Sequence, residues 1–231
     1  MNLLAPINNV LHLFFPHTCI GCGTDILHVK HQLCLRCLSH LPVTNFFEQP
    51  LNPVENKFIG RLPIKNAAAG YFFTKQSLLA RLMYELKYKG NKDIGFYLGQ
   101  LIGRMMETNP LYNDTDILMP LPLNEKRQKK RGYNQATAIC DGIATVINKP
   151  VIENAVMRKV NTQTQTRKGR ISRWENMDGI FAVTKPSLLE NKHVLLVDDI
   201  VTTGASLEAC GSEIVKVNGT TLSIATVGYT I

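Results

Sequence analysis

The sequence lacks the segments that carry proteins into or across membranes. It contains no apolar run of about 18 residues, and no basic residue precedes Lys30, so neither a membrane span nor a signal peptide is expected. Apolar residues at Leu4, Ile7, Leu11 and Phe14 have helical spacing. Because basic residues do not accompany them, this spacing favours an amphipathic helix packed on its own protein over a membrane anchor. We therefore expect a cytoplasmic protein.

The motifs of the common nucleotide-binding folds are also missing. The chain has neither G-x4-G-K-[ST] nor G-x-G-x2-G, and it has no internal repeat. Its 26 Lys and Arg residues exceed its 18 Asp and Glu residues. The excess is concentrated between Pro122 and Arg173, where twelve basic and three acidic residues give a net charge of +9. Such a local positive field favours an anionic partner, either a phosphorylated small molecule or a nucleic acid backbone.

Two C-x2-C pairs, separated by eleven residues, account for four of the six cysteines; they are Cys19, Cys22, Cys34 and Cys37. Two such pairs can bring four thiolates to the corners of a tetrahedron, which suits Zn²⁺ with sulfur ligands at about 2.3 Å. Disulfides are disfavoured in a reducing cytoplasm, and a redox pair needs a strand–helix setting that this stretch lacks. We predict a structural zinc site, because four sulfur ligands leave no open position for chemistry.

The neighbouring residues leave one alternative for the zinc ligands. Five histidines are close in sequence, and one of them could replace a cysteine; they are His12, His17, His28, His31 and His40. The remaining thiols, Cys140 and Cys210, share helical spacing with apolar residues. This spacing predicts small core side chains rather than nucleophiles.

Apolar periodicity predicts alternating strands and helices from Ala67 onward. The predicted strands are 67–73, 116–123, a segment near Val156, 193–199 and 221–228, and the predicted helices are 77–90, 93–106, 136–147 and 205–217. This alternation predicts an α/β fold, a parallel sheet with helices on both faces. We expect three parts: an amphipathic helix with a four-cysteine zinc module over 1–45, a proline-rich linker or hood over 46–66, and the α/β domain over 67–231.

The stretch VLLVDDIVTTGAS, residues 194–206, combines features of a ligand site. Its apolar run predicts a central parallel strand, which places Asp198 and Asp199 at the carboxyl edge where such sheets bind ligands. The turn that follows opens a helix, whose free backbone N–H groups favour a phosphate, and Gly204 allows close approach. Carboxylates accept hydrogen bonds, so they would face hydroxyls. A ribose 5-phosphate suits both halves, whereas the simpler alternative is a capped helix beside solvated aspartates.

The same thirteen residues resemble the phosphoribosyl pyrophosphate (PRPP) loop of type I phosphoribosyltransferases. Together with PLPLNEKRQKKRGYNQA at 120–136, NTQTQTRKGRISRWENMDGIF at 161–181 and the CIGC and CLRC pairs, they resemble the ComF family of competence-associated proteins. The resemblance covers nearly the whole chain. It implies a type I phosphoribosyltransferase fold with a small N-terminal zinc ribbon.

The resemblance also implies a site and a chemistry. Asp198 and Asp199 would bind the ribose hydroxyls, and the 5-phosphate would be held by Thr202, Thr203, Gly204, Ala205 and Ser206. The turn after the 116–123 strand, with the basic run up to Arg131, would lie near the pyrophosphate. A loop carrying Arg167, Lys168, Arg170 and Arg173 would close over PRPP and its Mg²⁺. Whether the chain transfers phosphoribose to an amine or base, or only senses PRPP, stays open at this stage.

A second hypothesis comes from the basic run itself, which comprises Lys126, Arg127, Lys129, Lys130 and Arg131. With the nearby Tyr133 and the zinc module, it could bind single-stranded DNA through phosphate contacts and occasional base stacking. The competence association of the family agrees with this role. It would make single-stranded DNA and competence helicase-type proteins further partners.

Overall fold

The computed structural model describes residues 17–25, 31–107, 109–159 and 179–231. The helix expected around Leu4 to Phe14 lies outside the described residues, as do the predicted loop residues Arg167, Lys168, Arg170 and Arg173. None of the helices in these described ranges combines the length and the apolar composition of a membrane span.

A four-stranded parallel sheet forms the centre of the molecule. Its strands, in spatial order, are β1 (Ala67–Phe73), β6 (Thr221–Thr230), β5 (His193–Val201) and β2 (Ile117–Pro120). The middle strands are apolar on both faces, because a parallel sheet covered by helices has no solvent side. Leu196 and Ile224 pair in register, and both are fully buried. The sequence prediction of a parallel α/β sheet is therefore confirmed.

A second, two-stranded sheet departs from the predicted pattern. β3 (Val156–Arg158) pairs antiparallel with β4 (Phe181–Val183). The sequence predicted the first of these strands but not the second. Three residues are too few to show an alternating pattern, and the partner strand is distant in sequence.

Among the described residues, four α-helices correspond to predicted ones, and two short α-helices were not predicted. The helices are α1 (Leu35–Ser39), α2 (Leu78–Tyr88), α3 (Lys92–Glu107), α4 (Glu125–Arg131), α5 (Gln135–Ile147) and α6 (Ala205–Ile214). α3 and α5 pack backbone to backbone at Gly99 and Gly142, where a Cβ atom on either residue would overlap the other helix. This contact fixes α5 against α3 and orients the residues that precede α5, including α4.

The segment predicted as a linker or hood, 46–66, contributes to the core. Phe47 and Phe58 are buried with the sheet and helix side chains. Asn52 holds the segment together: its Nδ2 donates to the carbonyl of Ala67 at 2.8 Å, and its Oδ1 accepts from the Val54 N–H at 2.9 Å. The domain boundaries proposed from the sequence stay a prediction, but this stretch is tied to the start of β1.

Candidate functional site

The acidic pair lies within strand β5, near its carboxyl end. β5 continues to Val201, and Asp198 pairs in register with Thr226 of β6. The predicted strand, 193–199, already contained both aspartates and ended two residues before the observed end. Each carboxylate accepts from the next backbone N–H: Asp199 N donates to Asp198 Oδ1 at 2.8 Å, and Ile200 N to Asp199 Oδ1 at 2.7 Å. These bonds stabilise two charged residues in an otherwise apolar strand.

The two carboxyl groups have different surroundings. The Asp199 side chain is only 7% exposed, and its Oδ2 lies 2.8 Å from Nζ of Lys87 in α2. Asp198 is half-buried and has no such ion pair among the described residues. Burial and the charge of Asp199 raise the pKa of Asp198 to about 8, against the opposing effects of the Asp199 N–H, Lys87 and Arg131. Asp198 is therefore protonated more readily than an isolated aspartate.

Lys87 is a site residue that the sequence analysis missed. It lies in the last turn of α2, an ordinary amphipathic helix whose apolar face is buried. A lysine near a helix C-terminus is common because it complements the helix dipole. No local signal in the sequence distinguished Lys87 from its neighbour Lys89.

The turn after β5 leads directly into helix α6. Gly204 has φ of +81° and begins α6 without a side-chain cap. Thr202 and Thr203 are exposed, whereas Ala205 and Ser206 are partly buried. The turn thus offers hydroxyls and helix N-terminal amides on one edge of the sheet, beside the acidic pair.

Residues of the 46–66 segment support this turn from behind. A Cβ atom on Gly204 would lie 3.1 Å from two ring carbons of Phe58, which is fully buried. Arg61 Nε donates to Glu208 Oε1 at 3.0 Å, which ties the segment to the first turn of α6. Lys57 Nζ lies 4.9 Å from the centre of the Tyr229 ring. The backbone of the turn is therefore packed between β5 and residues of the 46–66 segment.

The basic run forms helix α4, which lines a cationic cleft. Asn124 caps the helix, its Oδ1 accepting from Lys126 N at 3.0 Å, and Gly132 ends it with φ of +78°. The cleft has a volume of about 430 Å³ and is lined by Lys87, Tyr88, Gly90, Arg127, Lys130 and Arg131. Because Lys87 lines this cleft and also contacts Asp199, the cationic cleft and the acidic pair adjoin.

The stacking hypothesis required an exposed Tyr133, but this residue is buried. It is 8% exposed, and its hydroxyl donates to the carbonyl of Leu86. Two other tyrosines, both on α2, are exposed instead: Tyr84 is 52% and Tyr88 63% accessible. Their ring centres are 5.3 Å apart, and the Arg131 guanidinium carbon lies 5.9 Å from the Tyr88 ring. The aromatic surface beside the basic helix is therefore real but is formed by different residues.

The four cysteines of the two C-x2-C pairs converge as predicted. Their sulfur atoms all lie within 4.8 Å of one another, and the sulfurs of Cys22 and Cys34 are 3.7 Å apart. A tetrahedron of four sulfurs around zinc, with bonds of about 2.3 Å, has edges of about 3.8 Å, so the geometry fits this ion. Backbone N–H groups of Cys34 and Cys37 point at the sulfurs of Cys19 and Cys34, at 3.3 and 3.5 Å. Among the described residues, no histidine joins this cluster.

The thiols of this cluster repel one another when deprotonated. Burial and the neighbouring thiols raise the pKa of Cys37, whereas for Cys19 the effect of burial is outweighed by backbone hydrogen bonds, chiefly from Cys34, which lower its pKa. A divalent cation between the sulfurs would offset this repulsion. The other two thiols, Cys140 and Cys210, are fully buried in the core, as the sequence indicated.

At the other end of β5, a hydrogen-bonded chain resembles a catalytic triad in its order. His193 Nε2 is 2.8 Å from Ser223 Oγ, and its Nδ1 is 2.9 Å from Asp114 Oδ1. However, Ser223 is fully buried, so no substrate can reach its hydroxyl. The hydrogen bonds among Asp114, His193 and Ser223 join the starts of β5 and β6 and have a structural role.

Comparisons with known proteins find a matching domain and two similar competence proteins. Residues 136–229 match the model of the phosphoribosyl transferase domain. Competence protein F of Haemophilus influenzae is 28% identical over 201 residues, which cover 84% of this chain and 76% of that protein. Competence protein ComFC of Bacillus subtilis is 26% identical over 137 residues, 58% of this chain and 52% of the relative.

A solved structure, the glutamine PRPP amidotransferase of B. subtilis complexed with ADP and GMP, superimposes with a TM-score of 0.43 and 13% identity over 62% of this chain and 30% of that chain. The matched domain, the parallel sheet and the cysteine cluster agree with the fold that the sequence predicted. The chain is therefore similar to competence proteins over most of its length and matches the phosphoribosyl transferase domain over residues 136–229.

Proposed function

We propose that the chain binds PRPP and transfers its phosphoribosyl group to an amine or base. The observation that supports this most directly is that an acidic site and a cationic cleft lie next to each other. The carboxylates of Asp198 and Asp199 and the uncapped start of α6 share one strand–turn–helix unit, and the cationic cleft adjoins them at Lys87. PRPP carries the ribose diol between a 5-phosphate and a 1-diphosphate. The acidic pair, the start of α6 and the cationic cleft complement these three groups.

Each part of the site has a role in this proposal. Asp198 and Asp199 accept hydrogen bonds from the ribose hydroxyls, and residues 202–206 bind the 5-phosphate through backbone N–H groups and hydroxyls. Arg127, Lys130 and Arg131 bind the diphosphate. In the part of the chain that the structure describes, the cysteines are the one group of three or more possible metal ligands. Mg²⁺ would therefore arrive on the diphosphate oxygens, whose charge it neutralises.

The transfer breaks the bond between ribose C1 and the diphosphate oxygen. The bonding electrons leave with the diphosphate, which the cationic cleft stabilises, and positive charge develops on the ribose ring. The carboxylates of Asp198 and Asp199 oppose that charge. The acceptor nitrogen then forms a bond to C1 with its lone pair and loses a proton to water.

Calorimetric titration with Mg–PRPP tests the binding step. We expect saturable binding that weakens at least tenfold in the variant Asp198→Asn plus Asp199→Asn. Glu107→Gln, which neutralises an exposed carboxylate at the end of α3, is the matched control and should bind as the wild type does. Undiminished binding by the double variant, or no binding by the wild type, refutes the proposal. Pyrophosphate release with a panel of amines and bases then separates transfer from sensing.

A second function, binding of single-stranded DNA, is favoured by the exposed tyrosines of α2. Tyr84 and Tyr88 present their rings beside the basic helix, so bases could stack there while phosphates contact α4. Tyr84→Ala plus Tyr88→Ala should weaken oligothymidine binding about tenfold or more without changing its salt dependence. Lys126→Ala plus Lys129→Ala should reduce the salt dependence instead, because each lost phosphate contact lowers the slope. Equal effects of the two double variants on the slope would refute the assignment of stacking to the tyrosines.

A further inference from the structure

Lys87 connects the two halves of the proposed site. Its Nζ lies 2.8 Å from Asp199 Oδ2, and the lysine and aspartate side chains are 22% and 7% exposed. The other carboxylate oxygen, Oδ1, already accepts the Ile200 N–H. Among the described residues, no hydrogen bond of good geometry reaches Oδ2, so Lys87 provides its compensating charge.

The same side chain lines the cationic cleft. Lys87 shares the cleft wall with Arg127, Lys130 and Arg131, none of which is paired with Asp199 within 4.0 Å among the described residues. A lysine has a flexible four-carbon stem and a compact ammonium group with three donors, so it can exchange one anionic partner for another nearby without movement of its helix. The packing of α2 does not oppose this exchange, because Lys87 lies outside its buried face of Leu79, Leu82, Met83 and Leu86.

A ribose hydroxyl that uses Asp199 Oδ2 must share this oxygen with Lys87 or displace it. Displacement into solvent would leave a buried carboxylate without its partner, which is unfavourable. Displacement toward a diphosphate in the cleft would give the ammonium a new anion. Occupancy of the cleft would thus make Asp199 available to the sugar.

We propose that Lys87 is a positioning residue that moves from Asp199 to the diphosphate and thereby couples binding of the diphosphate to binding of the ribose diol. This inference rests on the proposed function. Because coupling between two ligands is reciprocal, the ribose half must also strengthen binding of the diphosphate half by the same factor. Without such an exchange, two anionic ligands in one site would only repel each other.

The coupling can be measured with the two halves of PRPP as separate ligands. Ribose 5-phosphate is titrated calorimetrically with and without saturating Mg–pyrophosphate, on the full chain. In the wild type, pyrophosphate should tighten ribose 5-phosphate binding at least fivefold. In Lys87→Gln the factor should fall to one or below, and in Lys87→Arg, which retains the charge, part of it should remain.

Two further variants separate coupling from a merely structural or phosphate-binding role. Asp199→Asn keeps Lys87 but removes the carboxylate that it must leave, so the coupling factor should also fall to one. Lys89→Gln, an exposed charge two residues away that does not line the cleft, should keep the wild-type factor. If Lys87→Gln does not fold, Lys87→Arg and Asp199→Asn still decide the question.

The possible failures are distinguishable. If the wild type binds both ligands without coupling, or if Lys87→Gln or Asp199→Asn keeps the wild-type factor, the exchange is refuted while PRPP binding stands. If the wild type binds neither ligand, the proposed function is refuted and the role of Lys87 with it.

Discussion

Replacing Asp198 with asparagine should stabilise the protein at alkaline pH. Burial, followed by the charge of Asp199, raises the pKa of Asp198 from 3.8 to about 8. A carboxyl group whose pKa is higher in the folded chain favours folding most when it is protonated. Its contribution to the free energy of unfolding is complete below pH 3.8, diminishes as the pH rises, and is lost once the pH passes about 8. Asparagine keeps the size of the side chain and does not ionise.

The magnitude follows from the shift. Four units at about 1.4 kcal/mol each give an upper limit of about 6 kcal/mol. The coupling to Asp199 divides this penalty between two groups, and the partial exposure of Asp198 lets water relieve it. We therefore expect Asp198→Asn to exceed the wild type in unfolding free energy by about 2–3 kcal/mol at pH 9 and by less than about 1 kcal/mol at pH 4.5.

Urea unfolding followed by circular dichroism at pH 4.5, 7 and 9 provides the measurement. Asp199→Asn is an informative comparison. It removes the second cause of the raised pKa but also leaves Lys87 without its partner, so its gain at pH 9 should be smaller. A difference between Asp198→Asn and the wild type that does not change with pH, or a variant that is less stable at pH 9, would contradict the burial and charge repulsion inferred for this pair.

Three further perturbations test other parts of the structure. Cys22→Ser should reduce zinc content, measured by mass spectrometry, from one ion per chain and lower the melting temperature; unchanged zinc would exclude Cys22 as a ligand. His193→Ala should lower the unfolding free energy by about 3 kcal/mol in urea titrations, because it leaves the buried Ser223 hydroxyl unpaired; a loss below about 1 kcal/mol would refute that role. Gly204→Ala should lose more stability than Gly60→Ala by about 1 kcal/mol, since both have positive φ but only Gly204 contacts a side chain; equal losses would show that this contact is unstrained.

Much of the fold was predictable because its signals are local. The strand β1 and the helix α5 each show their apolar pattern over seven or more residues. Their predicted limits agree closely with the observed ones. Helix α4 was not predicted because its seven residues are all polar and show no apolar face. Its signals were Asn124 before it and Gly132 after it, which are typical of helix ends.

The site was predictable only where it is contiguous in sequence. The acidic pair and the turn after it lie in one stretch of thirteen residues, whose resemblance to a PRPP loop predicted a role for both. Lys87 reaches Asp199 from a distant helix, and Tyr84 and Tyr88 become the exposed aromatic surface because Tyr133 turns inward to bond the Leu86 carbonyl. Such contacts depend on helix packing, which periodicity alone does not determine.

The position of the acidic pair inside β5 connects stability with function. Two carboxylates in a buried strand oppose local propensity and repel each other, and the chain offsets this only in part, with backbone N–H groups and Lys87. A sequence optimised for stability alone would place apolar or neutral residues there. The retained charge is intelligible if the proton and charge of the pair are needed for a ligand. In that case Asp198→Asn must gain stability at pH 9 and lose affinity for Mg–PRPP together. A variant that gained stability while binding PRPP as well as the wild type would assign the pair a role other than recognition of the sugar.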